Sequence, residues 1–174
     1  MIDLSKTTFA FDDLTGDAAK HLAHLISFDT VSCKSNRALI DYMAAFFGDL
    51  GGRITILPDK TGTKANLIAA FGPEDKAGIV WSGHTDVVPV DGQPWKTDPF
   101  KVTEIDGKLY GRGTSDMKSF SAIALALVPM MIEKGLKKPI HFALSYDEEV
   151  GCTGSPSMIQ AMINQKMKPR AVIV

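Results

Sequence analysis

Five residues of this chain could do chemistry together. "GIVWSGHTDVV" ends an apolar run with His84 and places Asp86 two residues on. In extended chain, residues i and i+2 point the same way, so the carboxylate can meet the imidazole. Such a partner fixes the ring's tautomer and makes its other nitrogen a better metal donor. The plainer alternative is a capped strand end with a satisfied histidine. "GRGTSDMK" places Asp116 behind Gly111 and Gly113, which permit an unusual backbone. Taken alone, Asp116 reads as a helix N-cap. Held by a rigid turn, it suits a bridging metal ligand. "SYDEEVG" sets Asp147, Glu148 and Glu149 side by side. Adjacent carboxylates repel one another, which a solvated loop tolerates and a cation relieves. Consecutive side chains point apart, so Glu148 and Glu149 have separate jobs.

One histidine with these carboxylates makes a mixed N/O donor set. It suits Zn²⁺, Co²⁺ or Mn²⁺ rather than a thiolate-bound structural zinc. Two such ions beside a free carboxylate make a hydrolase site.

The elements that must position these residues read as an α/β fold. Leu22, Leu25 and Ile26 share a face of "TGDAAKHLAHLISFDT", with Thr15 as its N-cap. Asn36 caps a second helix, "RALIDYMAAFFGDL", which Gly51 and Gly52 end. "RITIL", "ANLIAAF" and "GIVWSGH" are strands, and "KVTEIDGKLYG" is a hairpin around Asp106-Gly107. A helix runs from about Asp116 to Lys134 and is expected to bend at Pro129. Strand "PIHFALSY", helix "SPSMIQAMINQ" and strand "RAVIV" follow. The alternation predicts a mostly parallel mixed sheet flanked by helices. Ligands bind such sheets at the carboxyl ends of the strands, where His84, Asp86, Glu148 and Glu149 fall.

The 174 residues suffice for one domain, and 45% of them are hydrophobic. A net charge of -1 offers no basic face, so nucleic acid is not an expected partner. The longest apolar run, "FSAIALALVPMMI", is too short to span a bilayer and carries Pro129. The start lacks a secretory pattern, and two distant cysteines, Cys33 and Cys152, make no disulfide framework. A reducing cytoplasm is the expected compartment. His21 and His24 lack the H-E-x-x-H pattern. His141 reads as packed, Met130, Met131, Met158 and Met162 as helix core, and Cys152 lacks a nucleophile signature.

"SGHTDVVPVDGQPWKTDPF", "LYGRGTSDMK" and "SYDEEVGCTG" resemble, in order, the N-terminal catalytic part of the dinuclear-metal amidohydrolases and peptidases, the M20 family. The likeness spans nearly the whole chain, and the motif flanks look most like the acetylornithine deacetylases. It implies a zinc-exopeptidase-like catalytic domain holding two divalent ions, Zn²⁺ or Co²⁺. By the resemblance His84 binds one metal, Asp86 orients its ring, Asp116 bridges both metals, Glu149 binds the second, and Glu148 is the general base. The peptide bond after Asp116 is implied to be cis. Ser115 and Ser119 depart from the family's usual "ADMKG" without removing a ligand. The implied reaction is amide hydrolysis of an N-acyl amino acid, N-acetylornithine foremost, in arginine biosynthesis. Desuccinylase and metallo-carboxypeptidase activity are the alternatives within the family, and a non-catalytic module on this fold is the alternative outside it.

The family also carries a further acidic ligand, a late histidine and a dimerising lid domain. Residues 1–174 therefore read as an N-terminal portion of the catalytic domain, ending in the apolar run "AVIV". Such a portion keeps two protein ligands per metal and is expected to be inactive alone, where catalytic zinc usually has three. The full-length protein is expected to be a homodimer with a small-molecule substrate and no membrane partner.

Overall fold

Period-two alternation along the strands sorts apolar side chains onto two faces of one sheet, and helices cover each. The computed structural model describes residues 11–174. In chain order the elements are α1 (Phe11–Ser27), α2 (Arg37–Asp49), β1 (Arg53–Pro58), β2 (Ala65–Phe71), β3 (Ile79–His84), β4 (Thr103–Ile105), β5 (Lys108–Tyr110), α3 (Lys118–Glu133), β6 (Ile140–Ser145), α4 (Ser155–Asn164) and β7 (Ala171–Ile173). Five strands form a mixed sheet in the order β1-β2-β6-β3-β7, and β4-β5 is the separate hairpin. Asp106 and Gly107 turn that hairpin with φ of 51° and 72°, the left-handed pair such a tight turn requires.

Leu67, Ala69, Phe71, Phe142 and Leu144 face α1, α2 and α3, packing with Leu25, Ile26, Ile40, Phe47 and Leu125. Ile68, Val80 and Ala143 face the other way, onto Met158 of α4. Full burial of each large apolar side chain contributes about 1.5–3 kcal/mol. Phe47 stacks on Phe142 with ring centroids 4.9 Å apart, so α2 is clamped over the middle of the sheet.

Strand direction positions the site. β3 and β6 are parallel neighbours, with His84 opposite Ser145, so both leave the sheet at the same edge. β2 is antiparallel to β6, with Leu67 opposite Leu144, so it enters at the edge where β6 leaves. Gly83 has a specific use here. A Cβ there would lie 3.1 Å from Met117 and 3.2 Å from Phe120, tighter than ordinary contact. Its absence lets the start of α3 lie against the end of β3.

Three capping expectations are corrected. Thr15 lies inside α1, which begins upstream at Phe11. Leu14, Ala18 and Leu22 extend the apolar stripe toward Ala122 and Ile123 of α3, so the helical pattern starts before Thr15. Asn36 precedes α2 but its side chain makes no cap bond. It donates instead to the Ala65 carbonyl and Thr85 Oγ1, both at 2.8 Å, and accepts from the Ala65 amide. The N-cap position of α3 is Met117, not Asp116. Of the four methionines expected in the core, Met158 alone is buried, and Met130, Met131 and Met162 are half-buried.

Lys118, in the first turn of α3, is buried. Its ammonium donates to the carbonyls of Leu25 at 3.0 Å and Phe28 at 2.7 Å, at the end of α1. Carbonyls of a last helical turn need such donors. Burial pulls the ammonium's pKa down to about 8, against the charge of Asp29.

Candidate metal centre

Asp86 is the hub of the site. Its carboxylate accepts from the Ser32 hydroxyl at 2.7 Å, the Glu148 amide at 3.0 Å and the Glu149 amide at 3.2 Å. His84 Nδ1 lies 3.0 Å from the main-chain carbonyl of Asp86 and 3.5 Å from its carboxylate. The carbonyl therefore shares with the carboxylate the task of orienting the ring. Nε2 then faces outward, 3.1 Å from Asp116 Oδ1 and 3.7 Å from Glu148 Oε2. Donor atoms of His84, Glu148 and Glu149 lie within 4.8 Å of one another. The ends of β3 and β6 and the turn before α3 thus bring all five residues singled out in the sequence into one cluster. The Asp116–Met117 peptide bond is cis.

The donor set fits a divalent cation. Among the described residues, no lysine or arginine forms an ion pair with Asp116, Glu148 or Glu149. Burial raises the Glu149 pKa, and the charges of Asp116, Glu148 and Asp86 add to this against His84. Burial pulls His84 down, but hydrogen bonding and charge from Asp86, with Asp116, outweigh it and lift the ring to about 9. Burial pushes Asp86 up, but bonds from His84, Ser32 and the two amides hold it at about 2.

These shifts set a pH dependence. A cation held by Nε2 would need that nitrogen unprotonated, so binding there below about pH 9 would expel a proton. Zn²⁺ affinity, measured by competition titration, is expected to fall about tenfold for each pH unit below that value. Without metal the sign reverses. The folded value of His84 exceeds its ordinary 6.5, so its contribution to stability is complete below 6.5 and lost as pH rises through about 9. The contribution of Asp86 is complete above 3.8 and lost as pH falls through about 2. A Zn²⁺ affinity flat between pH 6 and 9 (roughly the span of the His84 shift) would contradict this arrangement.

Two residues escaped the sequence reading. Ser32 reaches Asp86 because Val31 pairs with Val87 in an isolated bridge beyond the end of β3. Nothing local in "TVSCK" signals that contact, which joins residues 54 apart. Lys64 pairs with Asp147 at 2.5 Å beside the cluster. Other candidates stay outside the site. His21 meets Phe46, and His24 meets Phe28 and Tyr42, as ring contacts. His141 lies in β6, four residues before Ser145, with no hydrogen-bond partner for its buried Nδ1 among the described residues. Cys33 and Cys152 are exposed and form no disulfide; the Cys152 thiol borders the site, 3.9 Å from Glu148 Oε1. No helix among the described residues is long and apolar enough to cross a membrane.

The fold and the cluster define an α/β metallohydrolase-type catalytic domain. Human carnosine dipeptidase 1 superposes with a TM-score of 0.75 at 25% identity, over 92% of this chain and 38% of that one. An M20 family metallo-carboxypeptidase from Sulfolobus solfataricus gives 0.79 at 23% identity, over 90% and 36%. Residues 80–174 match peptidase family M20/M25/M40, and the chain belongs to that family. Acetylornithine deacetylase of Buchnera aphidicola is 38% identical over 156 residues, 86% of this chain and 40% of that protein. The Pasteurella multocida enzyme of that name is 38% identical over 149 residues, 85% and 38%. The chain thus spans about two fifths of the length of these curated relatives.

Proposed function

We propose that this protein hydrolyses the amide bond of an N-acyl amino acid, with N-acetylornithine the foremost substrate, as a step toward arginine. One observation carries the substrate choice. Relatives 38–42% identical over most of this chain bear the name acetylornithine deacetylase. That name favours deacetylation over the desuccinylase and carboxypeptidase readings. The convergence of His84, Asp116, Glu148 and Glu149 favours catalysis over a non-catalytic module.

In this reading His84, Asp116 and Glu149 hold two divalent ions, Zn²⁺ or Co²⁺. When bound, such ions polarise the substrate carbonyl and acidify water. The chain's own residues do the rest. Asp86 holds the His84 ring with Nε2 outward. Glu148 is partly exposed, at 44%, and 3.7 Å from Nε2, within reach of both solvent and cluster. Its carboxylate takes the proton of the attacking water and returns it to the leaving amine nitrogen.

The test is a substrate panel on the protein at its full encoded length, supplied with Zn²⁺ or Co²⁺. The expected result is a kcat/KM on N-acetylornithine at least about tenfold above that on N-succinyl-diaminopimelate or a dipeptide. Activity is expected to vanish with chelator. A preference for the succinyl substrate or the dipeptide would overturn the substrate choice, and turnover indifferent to chelator would overturn the metal reading.

A further inference from the structure

We infer that Lys64 and Asp147 are positioning residues of the metal centre, one ion pair holding both segments that donate to Asp86. The inference deepens the metal reading of the His84 cluster and rests on it.

Lys64 immediately precedes β2, at the edge where β6 leaves the sheet. Its ammonium lies 2.5 Å from Asp147 Oδ1 and also donates to the main-chain carbonyl of Ser32. The two side chains are 16% and 14% exposed. Every other pairing of lysine or arginine with a carboxylate among the described residues has a partner more than half exposed. Exposed pairs contribute little. Taking two charges out of water is costly, so a pair this sheltered is better explained by the geometry it enforces.

That geometry is the cap on Asp86. Ser32, whose carbonyl Lys64 grips, gives its hydroxyl to Asp86. Asp147, which Lys64 also grips, directly precedes the two amides that bind Asp86. Asp147 has a left-handed backbone, φ 56°, that turns the chain out of β6. The Thr153 amide, 3.2 Å from the Asp147 carbonyl, secures the far side of the turn. A single ammonium therefore ties together the two arms that cap Asp86, and Asp86 orients His84. Neither Lys64 nor Asp147 is hydrogen-bonded to the side chain of His84, Asp116, Glu148 or Glu149, so both act through the cap.

The test compares Asp147→Asn, Lys64→Gln and Lys64→Arg in the protein at its full encoded length. Arg37→Gln, which removes the exposed pair with Asp41, is the control. Asparagine tolerates the left-handed backbone as aspartate does, so Asp147→Asn keeps the turn. The first readout is NMR amide exchange at Glu148 and Glu149 in metal-free protein. The second is the affinity for Co²⁺ and the visible spectrum of the Co²⁺-loaded protein.

In Asp147→Asn and Lys64→Gln, the two amides are expected to exchange about tenfold faster or more, while β6 amides keep their protection. Co²⁺ affinity is expected to fall about 10–100-fold, with an altered spectrum. Lys64→Arg restores most of both, and Arg37→Gln changes neither. Unchanged exchange and affinity in both neutralising variants would overturn the inference. So would equal loss of protection in β6, which would mark the pair as a general fold contact. If the unaltered protein binds no Co²⁺, the metal reading fails, and amide exchange alone decides whether the pair positions the cap.

Discussion

Glu148→Gln is expected to lower turnover by about 100- to 10,000-fold while metal content stays near that of the unaltered protein. Glutamine keeps the shape of the side chain but cannot accept and return a proton near neutral pH. The Glu148 amide still donates to Asp86, since that bond uses the main chain. Glu149→Gln is expected to do something different. Burial and three neighbouring carboxylates already disfavour charge on Glu149, which a bound cation would reverse. Replacing it is expected to lower metal occupancy first and turnover as a consequence. Parallel kcat and metal analysis of both variants in the full-length protein separates the roles. Wild-type turnover in Glu148→Gln would end its assignment as the base.

The second large effect is expected at Asp86. The residue is buried, and its carboxylate accepts from Ser32, Glu148 and Glu149 while facing His84. Asp86→Ala strands those donors around a void. Breaking a buried charged network from one side costs about 3–5 kcal/mol, read as a fall in the urea midpoint. Metal affinity is expected to fall about 10–100-fold, because the His84 ring loses an orienting partner. Asp86→Asn keeps the volume and one acceptor oxygen, so its stability loss is expected to be smaller. A urea midpoint for Asp86→Ala equal to that of the unaltered protein would show that the cap carries no weight.

The site was legible in the sequence where chemistry clusters along the chain. His84 with Asp86, and Asp147 with its two glutamates, are visible because strand ends present neighbouring residues together. The sheet was legible in its apolar runs, since "ANLIAAF" is buried along its whole length and "GIVW" opens a strand whose inward residue Val80 is buried. What stayed hidden depends on distant closure. Ser32 meets Asp86 across 54 residues, and Lys64 meets Asp147 across 83. At one helix start a polar side chain has a tertiary alternative to capping. Asn36 sits where a helix cap belongs, yet its amide joins β2 to Thr85.

Two of the donors on Asp86 are main-chain amides, and this bears on how the site can evolve. A backbone N–H is indifferent to the side chain it carries. Under the roles proposed above, mutation at position 148 or 149 would change the carboxylates offered to a cation and substrate while the imidazole keeps its orientation, so altered activities would be sampled on an intact scaffold. The residue barred from both positions is proline, which has no N–H to give.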